Sequence, residues 1–295
     1  MINLPKVSVV TITYGHQDYI IETIKGVLKQ NYKGKIEFII SNDNSPDDTD
    51  QVISDFFKSI EIPSHIDIKY IKHKENKGAI PNFAWTISQC TGKYIAICEG
   101  DDYWTDPHKL QKQIDFLEEN EDCSLVYHRV QIYDEEEKFF SEEILNKSLT
   151  IQKRTIEELA LNGNFIHTPS VLFRNNLILP ERLFKLTVGD YVLWFLNGEK
   201  GKLGYLPDQM AVYRFSEKST WGKKSDYYRI FNWLKVLSSL KQYSKNIIIK
   251  ELLKKQAWIA YKELKIMTFA EKLHVYKILL KIEPRFIKRI LLNRS

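Results

Sequence analysis

The stretch Tyr94–Trp104, YIAICEGDDYW, decides how this chain is read. It opens with five residues that are apolar without alternation, the pattern of a strand covered on both faces. It then places three carboxylates, Glu99, Asp101 and Asp102, within four positions around Gly100, and two aromatics follow at once. Carboxylates that close repel one another unless something positive lies between them.

Outward from that stretch, strand and helix signals alternate over the first 120 residues. Lys6–Thr13 (KVSVVTIT), Ile36–Ser41 (IEFIIS), Ile66–Ile71 (IDIKYI) and Tyr94–Cys98 read as strands. Between the first two, Ile20, Ile21, Ile24, Val27 and Leu28 fall on one helical face. Ser45 and Pro46 suit the cap and first position of a second helix, Pro81 opens a third, and Asp106 with Pro107 opens a fourth. Strand and helix at this spacing predict an α/β fold with a mostly parallel central sheet flanked by helices. Ligands of such sheets bind beyond the carboxyl ends of the strands. The polar stretches TYGHQD, SNDNSPDD and CEGDDYW lie at those ends.

After Ser124 the alternation loosens. SLVYHRVQIY, SVLFR and GYLPDQMAVYRF read as strands, GDYVLWFLNGEKG as a helix, and residues 226–292 as helical throughout. The expected division is 1–222 for the α/β domain and 223–295 for a basic amphipathic helical extension.

Composition sets the outer limits. The 295 residues are 43% hydrophobic and 13% aromatic, a globular make-up that excludes a disordered chain. No run approaches the roughly 18–20 apolar residues of a membrane span, and no leader is visible before the first strand. The three cysteines fit no metal or disulfide spacing and are expected as free thiols in a reducing, cytoplasmic compartment. Charge is uneven. Residues 223–295 hold 18 Lys and Arg against 5 Asp and Glu, a local +13 in a chain of net +5, so residues 1–222 carry −8. That acidic body argues against nucleic acid as a partner. There is no GxGxxG and no Walker A pattern, which disfavours a dehydrogenase or a P-loop NTPase.

Each strand-end motif has a structural and a chemical reading. Glu99-Gly100-Asp101-Asp102 suits a solvated helix-capping turn, or a hard divalent cation such as Mg²⁺ or Mn²⁺ that takes carboxylate and phosphate oxygens. Its place after a buried strand favours the cation. Asp43 is a turn former or an acceptor for the imide N–H of a nucleobase, while Ser45, Asp47 and Asp48 are assigned to the turn and helix start. Asp190, in TVGDYVLWFL, is an N-cap or a general base.

TITYGHQDYI, EFIISNDNSPDDT, KENKGAIPNF and YIAICEGDDYWTDPHKLQKQIDFLE, in that order and spacing, resemble a bacterial inverting glycosyltransferase of family 2 with the GT-A fold, over roughly residues 5–221. The resemblance implies a nucleotide-sugar donor, commonly linked to UDP, and a divalent metal. It places Thr13 and Tyr14 beside the nucleoside, Asp43 on the base, and Asn76, Gly78 and Asn82 near the ribose and diphosphate. Glu99, Asp101 and Asp102 match the DXD-type motif, with Asp101 and Asp102 as metal ligands. The first acid is Glu where the family has Asp, so Asp101 is the favoured ligand. Asp190 matches the catalytic base. His167 and the aromatics Trp104 and Trp221 fall on the acceptor side, packing being the alternative for all three. Arg214 matches a loop that closes over the diphosphate. Ser216 stands where many relatives have His, which leaves a third protein ligand unassigned.

The implied activity is transfer of a hexose or N-acetylhexosamine to a bacterial surface glycan or lipid-linked oligosaccharide. A nucleotide-sugar hydrolase and a non-catalytic binding protein are the rival readings. The basic extension either meets an anionic membrane at the inner face of the plasma membrane, or packs on the α/β domain or a second copy of the chain.

Overall fold

A computed structural model describes residues 4–143, 145–146, 151–181, 185–186, 188–216, 222, 224–264 and 267–285. The parallel ladder expected from the first 120 residues is present. Strands β1 (Val7–Thr13), β2 (Ile36–Asn42), β3 (Ile66–Lys72) and β4 (Tyr94–Ile97) pair in parallel in the order β3-β2-β1-β4. Helices α1 (Ile20–Leu28), α2 (Thr49–Ser59) and α3 (Ala79–Ser88) connect them. The second half of the sheet is mixed. β9 (Leu172–Arg174) runs antiparallel between β4 and β6 (Cys123–Asp134), and β6 pairs in parallel with β10 (Lys202–Phe215). Short β5 (Tyr103–Trp104), β7 (Phe139–Glu142) and β8 (Lys153–Arg154) add antiparallel edges.

The continuous apolar run of β4 has the expected cause. Tyr94, Ala96 and Cys98 face one core with α1 and α4 (Lys109–Glu119), and Ile95 and Ile97 face a second core. That second core includes α3, α5 (Ile156–Asn162) and α6 (Gly189–Gly198). It also takes Leu234, Leu237 and Leu240 of α7 (Asp226–Tyr243), Leu253 and Ala257 of α8 (Ile247–Glu263), and Val275 and Leu279 of α9 (Phe269–Ile282). Among the described residues the extension therefore forms three helices, and its apolar stripe packs on the α/β domain. Ser225, Asn246 and Thr268 cap these helices with side-chain acceptors, which explains the breaks. Among the described residues no helix is long and apolar enough to cross a membrane.

Three helix starts differ from expectation. α3 begins at Ala79, two residues before Pro81, and α4 at Lys109 with His108 as its N-cap rather than Asp106. α2 begins at Thr49, not after Ser45. Ser45 instead accepts from Gly15 N–H (3.0 Å) and donates to Asn42 Oδ1 (2.8 Å), pinning the β1 and β2 loops together. Asn44, at φ +59°, turns the chain there, so the stretch before Thr49 is spent on the loop. The three cysteines are free, as expected.

A buried carboxylate ties the sheet together at the opposite end. Glu37, within β2 and fully buried, accepts from Ser8 Oγ (2.5 Å), Lys69 Nζ (2.6 Å), Thr91 N–H (2.9 Å), Thr91 Oγ1 (2.9 Å) and Lys6 Nζ (3.1 Å). Burial alone would raise its pKa, but the bonds from Lys69, Ser8, Thr91 and Lys6 outweigh it and hold the carboxyl far below the usual range. A depressed carboxylate contributes stability above its unfolded pKa of about 4.3 and loses it as pH falls below. Glu37→Gln should therefore cost on the order of 2 kcal/mol at neutral pH. Denaturant melts should show the gap closing in acid, and a gap that persists unchanged in acid would refute the assignment.

Candidate active site

The acidic turn after β4 is built from both sides. Thr11 Oγ1 of β1 donates to the Cys98 carbonyl (2.7 Å), and Thr23 Oγ1 of α1 donates to the Asp102 carbonyl (2.6 Å) and the Gly100 carbonyl (3.2 Å). Gly100 is required by close approach. A Cβ there would stand 2.7 Å from His16 Nδ1 and 2.8 Å from Thr13 Oγ1. This clamp brings one oxygen each of Glu99, Asp101 and Asp102 within 4.8 Å of one another. Asp102 is buried and accepts from Arg214 N–H through Oδ1 (2.7 Å), while its Oδ2 has no partner. Burial pushes Glu99 up to about 8, helped by the charges of Asp101 and Asp190 and opposed by a bond from Thr168. Burial likewise raises Asp102 well above the carboxylate range, with Asp101 and Glu99 adding to it. Three oxygen donors, one of them orphaned and buried, fit a hard divalent cation better than a solvated cap.

A cavity of about 1110 Å³ opens over Glu99 and Asp101. Thr13, Tyr14, Asp43, Asn76, Gly78, Asn82, His167 and Asp190 also line it, so most of the expected site residues converge. Asp43 is buried, and both its oxygens accept backbone N–H groups of the loop before α3, from Lys77 (2.8 Å) and Gly78 (2.9 Å). Asn76 Oδ1 also accepts from Gly78 N–H (2.8 Å). Asn82 Oδ1 accepts from Ser41 Oγ (2.6 Å) and lies 3.0 Å from His73 Nε2. Asp43 and Asn82 thus shape the loop in addition to facing the cavity. Thr13 Oγ1 is buried without a partner.

Asp190 lies in the first turn of α6 and is not its N-cap, which is Val188 without a side-chain bond. Its Oδ2 accepts from Asn164 Nδ2 (2.9 Å). Burial raises its pKa, while bonds from Tyr191 N–H and Asn164 pull the other way. His167 lies with its ring 5.0 Å from that of Tyr213, its Nε2 is buried without a partner, and burial lowers it to about 4, so it is neutral.

Three expected contacts do not line the cavity: Asp102, whose burial is given above, Trp104 and Arg214. Trp104 is buried, its indole N–H donates to the Pro169 carbonyl (2.9 Å), and Lys109 Nζ lies 4.1 Å from its ring centre, so packing claims it. Arg214 lies beneath the acidic turn. Its guanidinium donates to the Asp101 carbonyl (2.8 Å), pairs with Glu22 and Glu135, and lies over Tyr19, Tyr103 and Tyr133. It supports the turn and is not presented to the cavity. Trp221 falls outside the described residues.

The sequence did not single out His16, whose buried Nδ1 lacks a partner, nor Asn164, nor Arg229, Trp233, Gln256 and Glu263 of the extension, all of which line the cavity. The clue for Asn164 was a polar residue following Gly163 at a helix end. The tail residues carried no local signal beyond their helical period.

A mixed sheet with an acidic turn at the end of its fourth strand, facing a large cavity, has the architecture of the GT-A transferases. The structure is similar to TarS from S. aureus (residues 1–349) in complex with UDP-GlcNAc, with a TM-score of 0.70 at 14% identity, covering 94% of this chain and 80% of that one. It is also similar to the mannosyltransferase PcManGT of Pyrobaculum calidifontis in complex with GDP-Man and Mn²⁺, with a TM-score of 0.64 at 15% identity, covering 97% and 76%. At those identities the likeness is one of fold. Glycosyl transferase family 2 matches residues 8–178, and the chain belongs to that family. Among sequences, an uncharacterized protein of Mycobacterium tuberculosis is 31% identical over 214 residues, which is 72% of this chain and 60% of that protein's length. The putative teichuronic acid biosynthesis glycosyltransferase TuaG of Bacillus subtilis is 26% identical over 261 residues, covering 84% of this chain and 98% of TuaG.

The raised carboxyls give a pH signature. With no cation bound, folded Glu99 keeps its proton up to about 8, whereas the unfolded chain releases it near 4.5. Stability should then fall as pH rises through that window. In chelator, the melting temperature of Glu99→Gln should fall less over this range than that of the parent chain. Identical slopes would count against a strained acidic cluster.

Proposed function

We propose that this chain is an inverting glycosyltransferase that moves a sugar from a UDP-linked donor to a hydroxyl of a bacterial surface glycan or lipid-linked precursor. The observation that carries the reading is one cavity lined by Glu99 and Asp101 of the three-carboxylate cluster and, apart from them, by Asp190 with a raised pKa. Its volume of about 1110 Å³ exceeds the roughly 300–1,000 Å³ of a single small-molecule pocket, so two substrates have room. The donor complexes of the two structural neighbours support the choice of nucleotide sugar.

On this reading Thr13, Tyr14, Asp43, Asn76 and Gly78 surround the nucleoside and ribose. Glu99, Asp101 and Asp102 would hold Mn²⁺ or Mg²⁺, which supplies electrostatic stabilisation for the departing diphosphate. Asp190 takes the proton of the acceptor hydroxyl as its oxygen attacks the anomeric carbon. The bond from that carbon to the diphosphate oxygen breaks on the opposite face, and configuration inverts. A carboxyl raised by burial is a stronger base than an exposed one, and Asn164 keeps it oriented and ionisable. Its place in the first turn of α6 also favours the charged form. His167, being neutral, has a free Nε2 to bond a sugar hydroxyl.

Calorimetry of UDP with Mn²⁺ and with chelator tests the donor half. Binding that requires Mn²⁺ and is lost in Asp101→Ala is expected, and metal-independent binding would overturn the metal assignment. Asp190→Asn should bind UDP like the parent chain but lose transfer by at least about 100-fold. Donor breakdown that no acceptor accelerates would favour a hydrolase, and tight UDP binding without turnover a non-catalytic binder. The exposed Ile247, Ile248 and Phe269 among the lysines of the extension support contact with anionic lipid at the inner face of the membrane. Salt-sensitive flotation with anionic but not neutral vesicles is expected, and no flotation with either would exclude it.

A further inference from the structure

The extension does more than cover the apolar face of the domain. Gln256 of α8 is 5% exposed and faces the end of α5. In the amide orientation that satisfies its neighbours, it donates to the Ala160 carbonyl (3.2 Å) and accepts from Gly163 N–H (2.7 Å). Carbonyls in the last turn of a helix lack intrahelical partners, so this amide fills a role the helix leaves vacant. Gly163 caps α5 at φ +83°, a conformation that disfavours any side chain, and a Cβ there would stand 2.6 Å from the Gln256 amide. The next residue is Asn164. Its Oδ1 accepts from Ile166 N–H (3.2 Å), which fixes the amide, and its Nδ2 donates to Asp190 Oδ2 (2.9 Å). No side chain at the N-cap of α6 supplies an alternative restraint.

We propose that Gln256 is a positioning residue for the candidate base: from a helix outside the family-matched segment it fixes the Gly163–Asn164 turn, so that the Asn164 amide is presented to Asp190. The proposal rests on Asp190 being the base, as read above. It makes the extension a working part of the site. A bond from a neutral amide to a carboxylate is charge-assisted and directional, so a turn that drifts by about 1 Å loses much of it.

The test is the side-chain amide signal pair of Asn164 in the nitrogen–proton correlation spectrum of the full chain, assigned with Asn164→Ala. Asp190→Ala defines where that pair lies when the bond is absent. Gln256→Leu keeps the bulk of the side chain but not the tether, and should move the pair more than half of the way to that position. Leu253→Ala opens a cavity in the same helix without touching the tether. It should lower the melting temperature yet leave the pair where it is in the parent chain. An unmoved pair in Gln256→Leu would overturn the proposal. So would an equal movement in Leu253→Ala, because helix packing alone would then explain the effect. The measurement needs neither donor nor acceptor. Failure of the base assignment would instead appear as transfer retained in Asp190→Asn, whatever the amide signals do.

Discussion

Mutual repulsion of three carboxylates at the end of β4 is the constraint on which the rest of the site depends. Glu99, Asp101 and Asp102 are brought within 4.8 Å although burial raises the pKa of two of them. The turn does not adopt this geometry for its own stability. It is held by hydroxyls from β1 and α1, by a glycine with no room for a side chain, and by the main chain and guanidinium of Arg214. Several elements must therefore be in place before the cluster can form, so it is a property of the folded domain. The contrast with Glu37 is instructive. That carboxylate is as deeply buried as Asp102, yet two lysines, two hydroxyls and a backbone N–H satisfy it, and its pKa moves the other way. The same residue class is fully bonded at one end of the sheet and, in Asp102 Oδ2, left without a partner at the other.

Arg214 shows how a charge beside the acidic turn serves without lining the cavity. Its guanidinium is shared between two carboxylates, a carbonyl and three aromatic rings, and its backbone N–H takes one oxygen of Asp102. The other oxygen of Asp102 is left without a partner. An arginine is suited to this because its planar fork serves several acceptors at once. The result leaves Glu99 and Asp101 facing the cavity while Arg214 supports the turn from behind.

The parallel half of the sheet was legible because β4 and its neighbours are short, β-branched runs separated by helices with an apolar stripe, where local propensity and burial agree. The convergence of Thr13, Asp43, Gly78 and Asp101 was legible for the same reason: each ends a strand or opens a helix at the carboxyl edge of a parallel sheet, and topology alone brings them together. Trp104 and Arg214 were misplaced because sequence position gives proximity to the turn but not the side of it. Trp104 ends a two-residue strand that turns its ring into the core beneath α1. Ser45 was misread because an Asn-Asp-Asn turn and a helix cap use the same residue types, and only the positive φ of Asn44 separates them. Gln256 carried no signal at all, because its role comes from contact with a turn about ninety positions earlier in the chain.

That last contact alters how the chain divides. A boundary at 222 follows composition and charge, since the sequence turns basic there, but the packing ignores it. Leu234, Leu253 and Leu279 enter the same core as Ile95 and Ile97 of β4, so removing the extension would expose the face of the sheet that carries the acidic turn. The cavity follows the same logic. The strand ends supply its acidic and loop-backbone groups, whereas Trp233, Gln256 and Glu263 bring aromatic, amide and carboxylate groups from the helices. A rigid sheet edge suits a ligand part common to many transferases, and an added helical wall suits a part that differs between them. On the proposed reading, the half of the cavity that meets the acceptor joins Asn164 and His167 of the family-matched segment to Asp190, Trp233, Gln256 and Glu263 beyond it.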